Sequence, residues 1–159
     1  MDESVRGKRR RHFFEWCEKA GLVTNGEISR AFSISTQTVR NWRRNSARSL
    51  KAWVWLAVEG YEVCMQAMNA EGRPLPGLPR VTVGWFTEWM GRNSFQTYEE
   101  AGEALGLTRQ AVHNWYRRNR FPNWLALACV GVERRRRNMS KRDVVATVWS
   151  LQPGNMAER

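Results

Sequence analysis

The chain has 159 residues, of which 26 are lysine or arginine and 15 are aspartate or glutamate, so its formal net charge at pH 7 is +11. This charge favours a polyanionic partner, for which nucleic acid and an anionic membrane surface both qualify. Three cysteines without metal-ligand spacing argue against a disulfide framework and indicate a reducing, intracellular compartment. The most apolar run, Leu50 to Val63, contains three charged residues, so no membrane span is expected, and the charged N-terminus predicts no signal peptide.

The first segment is a basic arm, residues 1–12, with five basic and two acidic side chains. It is too polar to bury itself, so we expect it to lack regular structure in isolation. Flexible arginines suit phosphates or a minor groove, so the arm is expected to add affinity rather than sequence preference. His12 lies among these arginines and is interpreted as a further phosphate contact or as an inert side chain.

A sequence repeat follows the arm. Moving the sequence by 73 residues aligns Phe13–Asn45 with Phe86–Arg118 without a gap, and 11 of the 33 pairs are identical. The offset then becomes 71 residues, at which Trp53, Ala57, Gly60 and Glu62 align with the identical residues Trp124, Ala128, Gly131 and Glu133. A repeat of this length spans a small domain. We therefore expect a first domain at 13–63 and a second at 84–132, with paired tryptophans in their cores.

Each copy predicts a short second helix followed by a third. The second helix begins at a capping box, formed by Thr24 with Glu27 or by Thr97 with Glu100. A short turn follows, Ser33 to Ser35 in the first copy and Gly106 to Thr108 in the second. Each turn ends in a hydroxyl residue suited to cap the third helix.

A proline- and glycine-rich linker, residues 64–83, is expected between the copies, because five Gly and Pro residues there interrupt regular structure. Residues 133–159 form a basic tail that opens with Arg134 to Arg137. Ser140 and Asp143 have capping-box spacing and predict a short helix through Leu151.

The third helix of each copy has two unlike faces. At about 100° per residue, Val39 and Trp42 lie on one side, with Gln37, Asn41 and Arg44 opposite. The second copy repeats this pattern, with Val112 and Trp115 against Gln110, Asn114 and Arg117. Glutamine and asparagine can contact adenine with two hydrogen bonds, and arginine can contact guanine or phosphate, in a major groove that admits a helix. The pattern therefore favours DNA binding over a solvated basic face.

The charges agree with this interpretation. Five basic residues and no acidic one lie between Ser35 and Lys51, and four basic residues and no acidic one lie between Ala104 and Val132. The acidic residues lie on the other predicted helices.

The second copy, TYEEAGEALGLTRQAVHNWYRRNRFPNWLALACVGVE, resembles the helix-turn-helix of phage repressors and Cro-like regulators. Gly102 stands at the family's small-residue position and Gly106 at its turn glycine, where the first copy has Ser29 and Ser33. The resemblance implies an all-α protein of two tandem small helix-turn-helix domains, with a basic N-terminal arm and a C-terminal helical tail. By that resemblance, the residues that face DNA are Ser35, Thr36, Gln37, Arg40, Asn41 and Arg44 in the first copy and Thr108, Arg109, Gln110, His113, Asn114 and Arg117 in the second.

These features predict a sequence-specific double-stranded DNA-binding protein, a phage or mobile-element transcriptional regulator in the cytoplasm or nucleoid of a bacterial host. Two alternatives stay open. One is a DNA-recognition subunit in packaging or recombination, and the other is a phage inhibitor that binds a host protein and represses its own promoter. The apolar tail segment from Val144 to Trp149 keeps the protein-binding alternative open, and a tail-mediated homodimer is a further alternative.

The two copies differ at Arg40/His113 and at Thr36/Arg109, so two related but unequal half-sites are expected. These would form an imperfect inverted repeat if the two copies pack with pseudo-two-fold symmetry. A single chain on one site is favoured slightly over two chains.

No enzymatic activity is expected, and no cofactor or metal. His113 has no acid or nucleophile in its local pattern, so a DNA contact or simple exposure explains it better than catalysis. Glycine-rich phosphate loops, metal-ligand clusters and paired carboxylates are not recognisable in the sequence.

Overall fold

The computed structural model describes residues 3–44, 50–70 and 78–137. Within these ranges the chain forms eight α-helices and no β-strand, which confirms the all-α class. The helices are α1 Glu3–Lys19, α2 Asn25–Phe32, α3 Thr36–Arg44, α4 Ala52–Ala70, α5 Val83–Arg92, α6 Tyr98–Ala104, α7 Arg109–Arg118 and α8 Leu125–Arg137. In the ranges described, none of these helices is both long enough and apolar enough to cross a membrane. The predicted tail helix between Ser140 and Leu151 lies outside the described residues.

The helices belong to two compact units, of which the first ends at Lys51 and the second begins at Ala52. The first unit contains α1 to α3, and the second contains α4 to α8. Helix α4, which the sequence repeat places in the first copy, therefore packs with the helices of the second. It also continues to Ala70, beyond residue 63, because Cys64 and Ala67 extend its buried face by another turn.

Residues 3–12 of the arm are helical in the whole chain, because α1 begins at Glu3. The arm's lack of regular structure in isolation stays a prediction. This segment contains no proline, and its lysines and arginines are good helix formers that extend an existing helix without a new nucleation step. The Arg10 guanidinium donates from Nη1 to the carbonyl oxygens of Trp42 and Arg43, both at 3.3 Å. Arg10 thus places a cation at the C-terminal end of α3, where the helix dipole favours it.

The core of the first unit is mostly aromatic. Phe13, Ile28 and Phe32 are at most 1% exposed, and the Phe13 ring lies 5.9 Å from the ring of Phe32. The predicted capping box at the start of α2 is confirmed. Thr24 Oγ1 accepts from the Glu27 amide at 3.1 Å, and Glu27 Oε2 accepts from the Thr24 amide at 2.9 Å.

The core of the second unit contains Trp85, Phe86 and Trp89, all of them fully buried. Thr97 Oγ1 caps α6 by accepting from the Glu100 amide at 3.2 Å, as its spacing predicts. The Glu100 carboxylate accepts from the amide of the preceding residue, Gln96, at 2.6 Å. The Glu100 carboxylate therefore binds the amide of the residue before Thr97, whereas in a strict capping box it would bind the amide of Thr97 itself.

Helices α4 and α8 approach each other closely at two glycines. A Cβ at Gly60 would overlap the carbonyl oxygen of Leu127, and a Cβ at Gly131 would overlap the carbonyl oxygen of Leu56. Only glycine permits this backbone approach. Trp53 and Trp124 each lie seven residues before these glycines, about two turns of helix, and their rings stack with centroids 3.7 Å apart.

Candidate nucleic-acid interface

The same left-handed turn joins α2 to α3 and α6 to α7. Ser33 has φ +53° and Gly106, its equivalent in the second copy, has φ +68°. In the first copy the Ile34 amide donates to the Ser29 carbonyl oxygen at 3.1 Å, and the equivalent bond in the second copy measures 2.7 Å. The serine of the first copy therefore adopts the turn that glycine adopts more readily in the second.

Each third helix begins at the hydroxyl residue that the sequence predicts. Ser35 Oγ accepts from the Thr38 amide at 3.1 Å, and Thr108 Oγ1 accepts from the Ala111 amide at 3.2 Å. These bonds satisfy amide groups that the first turn of a helix leaves without an intrahelical partner. Both hydroxyls therefore fix the residue at which each third helix begins.

One face of each third helix anchors it in its own unit. Val39 and Val112 are completely buried. Trp42 and Trp115 are half-buried, with Trp42 packed edge-on against Phe13 at 5.6 Å and Trp115 edge-on against Trp124 at 5.9 Å. The valines are thus the deepest anchors, and the tryptophans cover the rim of each core.

The opposite face of each helix is open to solvent. Eleven of the twelve residues predicted to face DNA are exposed, and Asn114 is half-buried. The exposed ones are Ser35, Thr36, Gln37, Arg40, Asn41, Arg44, Thr108, Arg109, Gln110, His113 and Arg117. Since neither α3 nor α7 contains an acidic residue, the side chains on this face are neutral or basic.

A hydrogen-bonded amide pair lies on this face in both copies. Gln37 Nε2 donates to Asn41 Oδ1 at 3.0 Å, and Gln110 Nε2 donates to Asn114 Oδ1 at 2.9 Å. The residues are four apart, the spacing at which helical side chains meet. Each bond leaves the glutamine oxygen as an acceptor and the asparagine N–H₂ group as a donor. We call these two pairs the amide pairs.

A clamp that was not predicted from the sequence holds α3 to the rest of the first unit. Arg43 Nε donates to Asn25 Oδ1 at 2.6 Å, and its Nη2 donates to the Val23 carbonyl oxygen at 3.3 Å. Its guanidinium carbon also lies 4.2 Å from the centre of the Phe14 ring. Arg43 follows Val39 by four residues, so its place on the anchoring face could have been read from the helical spacing.

Tyr116 takes the same position in the second unit with different chemistry. Its ring stacks on Tyr98 with centroids 4.4 Å apart, and its hydroxyl lies 2.8 Å from Thr87 Oγ1. Burial raises the pKa of Tyr116 above its usual value, so the phenol stays neutral and can donate. Tyr98 and Thr87 are the equivalents of Asn25 and Phe14, so all three members of the clamp have changed together.

An open concavity of about 610 Å³ follows the C-terminal end of α7. Arg118, Arg120 and Asn123 line it together with the half-buried Asn114 and Trp115. Asn119 ends the helix in the left-handed conformation, which turns the chain toward α8. Two cationic side chains are thereby placed beside the amide pair of α7. Both arginines belong to the basic run after Ala104, but their grouping beside the amide pair is not evident from the spacing in the sequence.

In the part of the chain that the structure describes, no group of three or more His, Cys, Asp or Glu side chains could hold a metal ion. Comparison with known protein families, curated proteins and solved structures finds no match to this chain.

Proposed function

We propose that this protein binds double-stranded DNA in a sequence-specific manner through two helix-turn-helix units, with α3 and α7 as the recognition helices. The observation that carries this proposal is the recurrence of the amide pair. Gln37 with Asn41 and Gln110 with Asn114 have the same hydrogen bond, at the same helical position, on faces that contain no acidic residue. Such a bond stabilises an isolated helix by only about 0.2–0.5 kcal/mol, so its presence in both copies, which share one residue in three over the aligned segment, favours a role for this face in binding.

The amide pairs are suited to an adenine base. In the major groove, adenine presents a donor at N6 and an acceptor at N7. The free glutamine oxygen and asparagine N–H₂ group of each pair provide the complementary acceptor and donor. We therefore expect each half-site to contain an A·T pair opposite its amide pair.

Phosphate contacts would come from the arginines that flank the amide pairs. Arg44 and Arg117 are exposed in the last turn of their recognition helices. Arg118 and Arg120 extend the basic surface along the concavity after α7. Contacts of this kind supply most of the affinity but little of the sequence preference.

The regulatory role rests on the resemblance to phage repressors and Cro-like regulators. A protein of this kind acts by occupying a site on DNA, and it needs no chemistry of its own. We therefore propose a phage or mobile-element transcriptional regulator as its biological role.

In vitro selection from random duplex DNA tests the proposal, followed by affinity measurements for two variants. We expect enrichment of a defined site, and Asn114→Ala should cost about 1–3 kcal/mol on that site and relax preference at one base pair. Asn69→Ala is the matched control, because Asn69 is an exposed amide on α4 and should leave binding unchanged. Uniform weakening of Asn114→Ala on all sequences would contradict base reading, and no enrichment at all would favour the protein-binding alternative.

A further inference from the structure

The contacts between α4 and α8 are exchanged between equivalent residues. Gly60 of the first copy corresponds to Gly131 of the second, and Leu56 corresponds to Leu127, at the same offset of 71 residues. Gly60 meets the Leu127 carbonyl oxygen, and Gly131 meets the Leu56 carbonyl oxygen. An interface in which residue i meets j while the equivalent of j meets the equivalent of i is the pattern of a two-fold symmetric dimer.

The stacked tryptophans give the same result. Trp53 and Trp124 are equivalent, and each is the other's partner in the stack at 3.7 Å. In a two-fold interface, a residue that meets its own equivalent lies beside the symmetry axis. The helix pair α4 and α8 therefore has a local pseudo-two-fold axis near these two rings.

This interface is already filled. Ala57 and Ala128 are completely buried, and Leu56 and Leu127 are 4% and 0% exposed. The surface through which two such copies would associate as separate chains is thus covered by the other copy of the same chain. A second chain has no need to supply it.

The two copies nevertheless present different side chains to solvent. Arg40 of α3 corresponds to His113 of α7, and Thr36 corresponds to Arg109, and all four are exposed. Arginine contacts guanine with two hydrogen bonds in the major groove, whereas histidine and threonine cannot make that paired contact. The two recognition faces therefore share an amide pair but differ at two exposed positions next to it.

We propose that α4 and α8 take the place of a subunit interface between the two copies, an arrangement that we call the internal pseudo-dimer, and that one chain occupies one DNA site in a fixed direction. This rests on the proposed function as regards DNA. A dimer of identical chains reads a palindrome and cannot tell its two ends apart. One chain with two unlike faces reads two unequal half-sites, so the bound protein has a defined left and right.

Reciprocal substitutions test whether the chain binds its DNA site in one fixed orientation. Arg40→His and His113→Arg each make the two faces alike at one position. We expect each variant to change base preference by about fivefold to about 150-fold at one half-site only, with the two variants affecting opposite halves. If two chains occupied the site symmetrically, each variant would change both halves equally and overturn the proposal. A variant that changed neither half would also overturn it, because that face would then not read the site.

The mass of the full-length chain tests the internal interface without DNA. Native mass spectrometry should give 18.6 kDa for the free protein and one chain per duplex for the complex with a selected site. Twice that mass for the free protein, or two chains per site, would overturn the internal pseudo-dimer. If selection enriched no site, the proposed function and the directional reading would both fall, and the mass of the free chain would still decide the internal interface.

Discussion

The three cysteines are buried free thiols. Burial raises the pKa of Cys17 and of Cys64 from 9.0 to about 12. Burial also raises the pKa of Cys129 well above its usual value, and the nearby Glu133 adds to the effect. Since the thiolate is the nucleophile, native protein at pH 8 should react with a maleimide far more slowly than free cysteine does. Denatured protein should react at all three positions, which mass spectrometry counts. Rapid native labelling would contradict the burial of the thiols.

The same thiols predict how stability depends on pH. An unfolded thiol ionises near pH 9, whereas folded Cys17 and Cys64 stay protonated to about pH 12. Their contribution to stability is therefore complete below pH 9 and is lost as pH rises from 9 toward 12. We expect urea unfolding to show a falling free energy over this range. Cys64→Ala should make that fall less steep, and an unchanged slope would exclude Cys64 as a cause.

At the scale of the helix, two neighbouring arginines of α3 have different tasks. Both side chains are exposed, but Arg43 clamps α3 to Asn25, Val23 and Phe14, whereas Arg44 lies on the same face as the amide pair. Arg43→Ala should lower the free energy of unfolding by about 1–1.5 kcal/mol, because it removes two exposed hydrogen bonds and a cation–π contact. Arg44→Ala should leave stability within about 0.5 kcal/mol and weaken DNA binding. Thermal unfolding and DNA titration of both variants check this, and equal stability losses would refute the division.

The crossing of α4 and α8 gives a second matched pair of variants. Alanine is worth up to about 1 kcal/mol more than glycine inside a helix, so propensity alone predicts that Gly60→Ala stabilises. Its Cβ, however, would overlap the Leu127 carbonyl oxygen, and overpacking should instead cost about 1–3 kcal/mol or more. Gly91→Ala is the control, since a Cβ there meets nothing within 4 Å in the described structure, and it should be neutral or stabilising. Denaturant unfolding compares the two, and a stabilised Gly60→Ala would disprove the close approach.

At the scale of the whole molecule, the net charge of +11 predicts strongly salt-dependent DNA binding. Each phosphate contact contributes about 0.9 to the slope of log affinity against log salt concentration. Arg117→Gln should therefore lower that slope by about one, whereas Arg80→Gln, an exposed arginine before α5, should not change it. Titrations at several salt concentrations measure both slopes. Equal changes would mean that general charge, rather than the surface around α7, governs binding.

Much of each unit could be predicted from local sequence. The capping residues, the positions of the short turns, and the anchoring of Val39 and Val112 follow from interactions between residues at most a few positions apart. The exposure of the predicted contact face follows from the same helical spacing. Short-range hydrogen bonds and periodic burial can be recognised in the sequence, because they require particular residue types at fixed spacings. For that reason the site was predicted residue by residue, while its use on DNA stays a proposal.

The sequence by itself determined the repeat, the helical class and the two unlike faces of α3 and α7. Only the tertiary structure decided where α4 belongs, because a buried helical face indicates that a partner exists but not which helix it is. The equivalence of Gly60 and Gly131 is visible in the sequence, but that each meets a carbonyl oxygen of the other copy depends on contacts between residues far apart in the chain. The separate tasks of Arg43 and Arg44 were decided in the same way, by what lies opposite each side chain once the helices have packed.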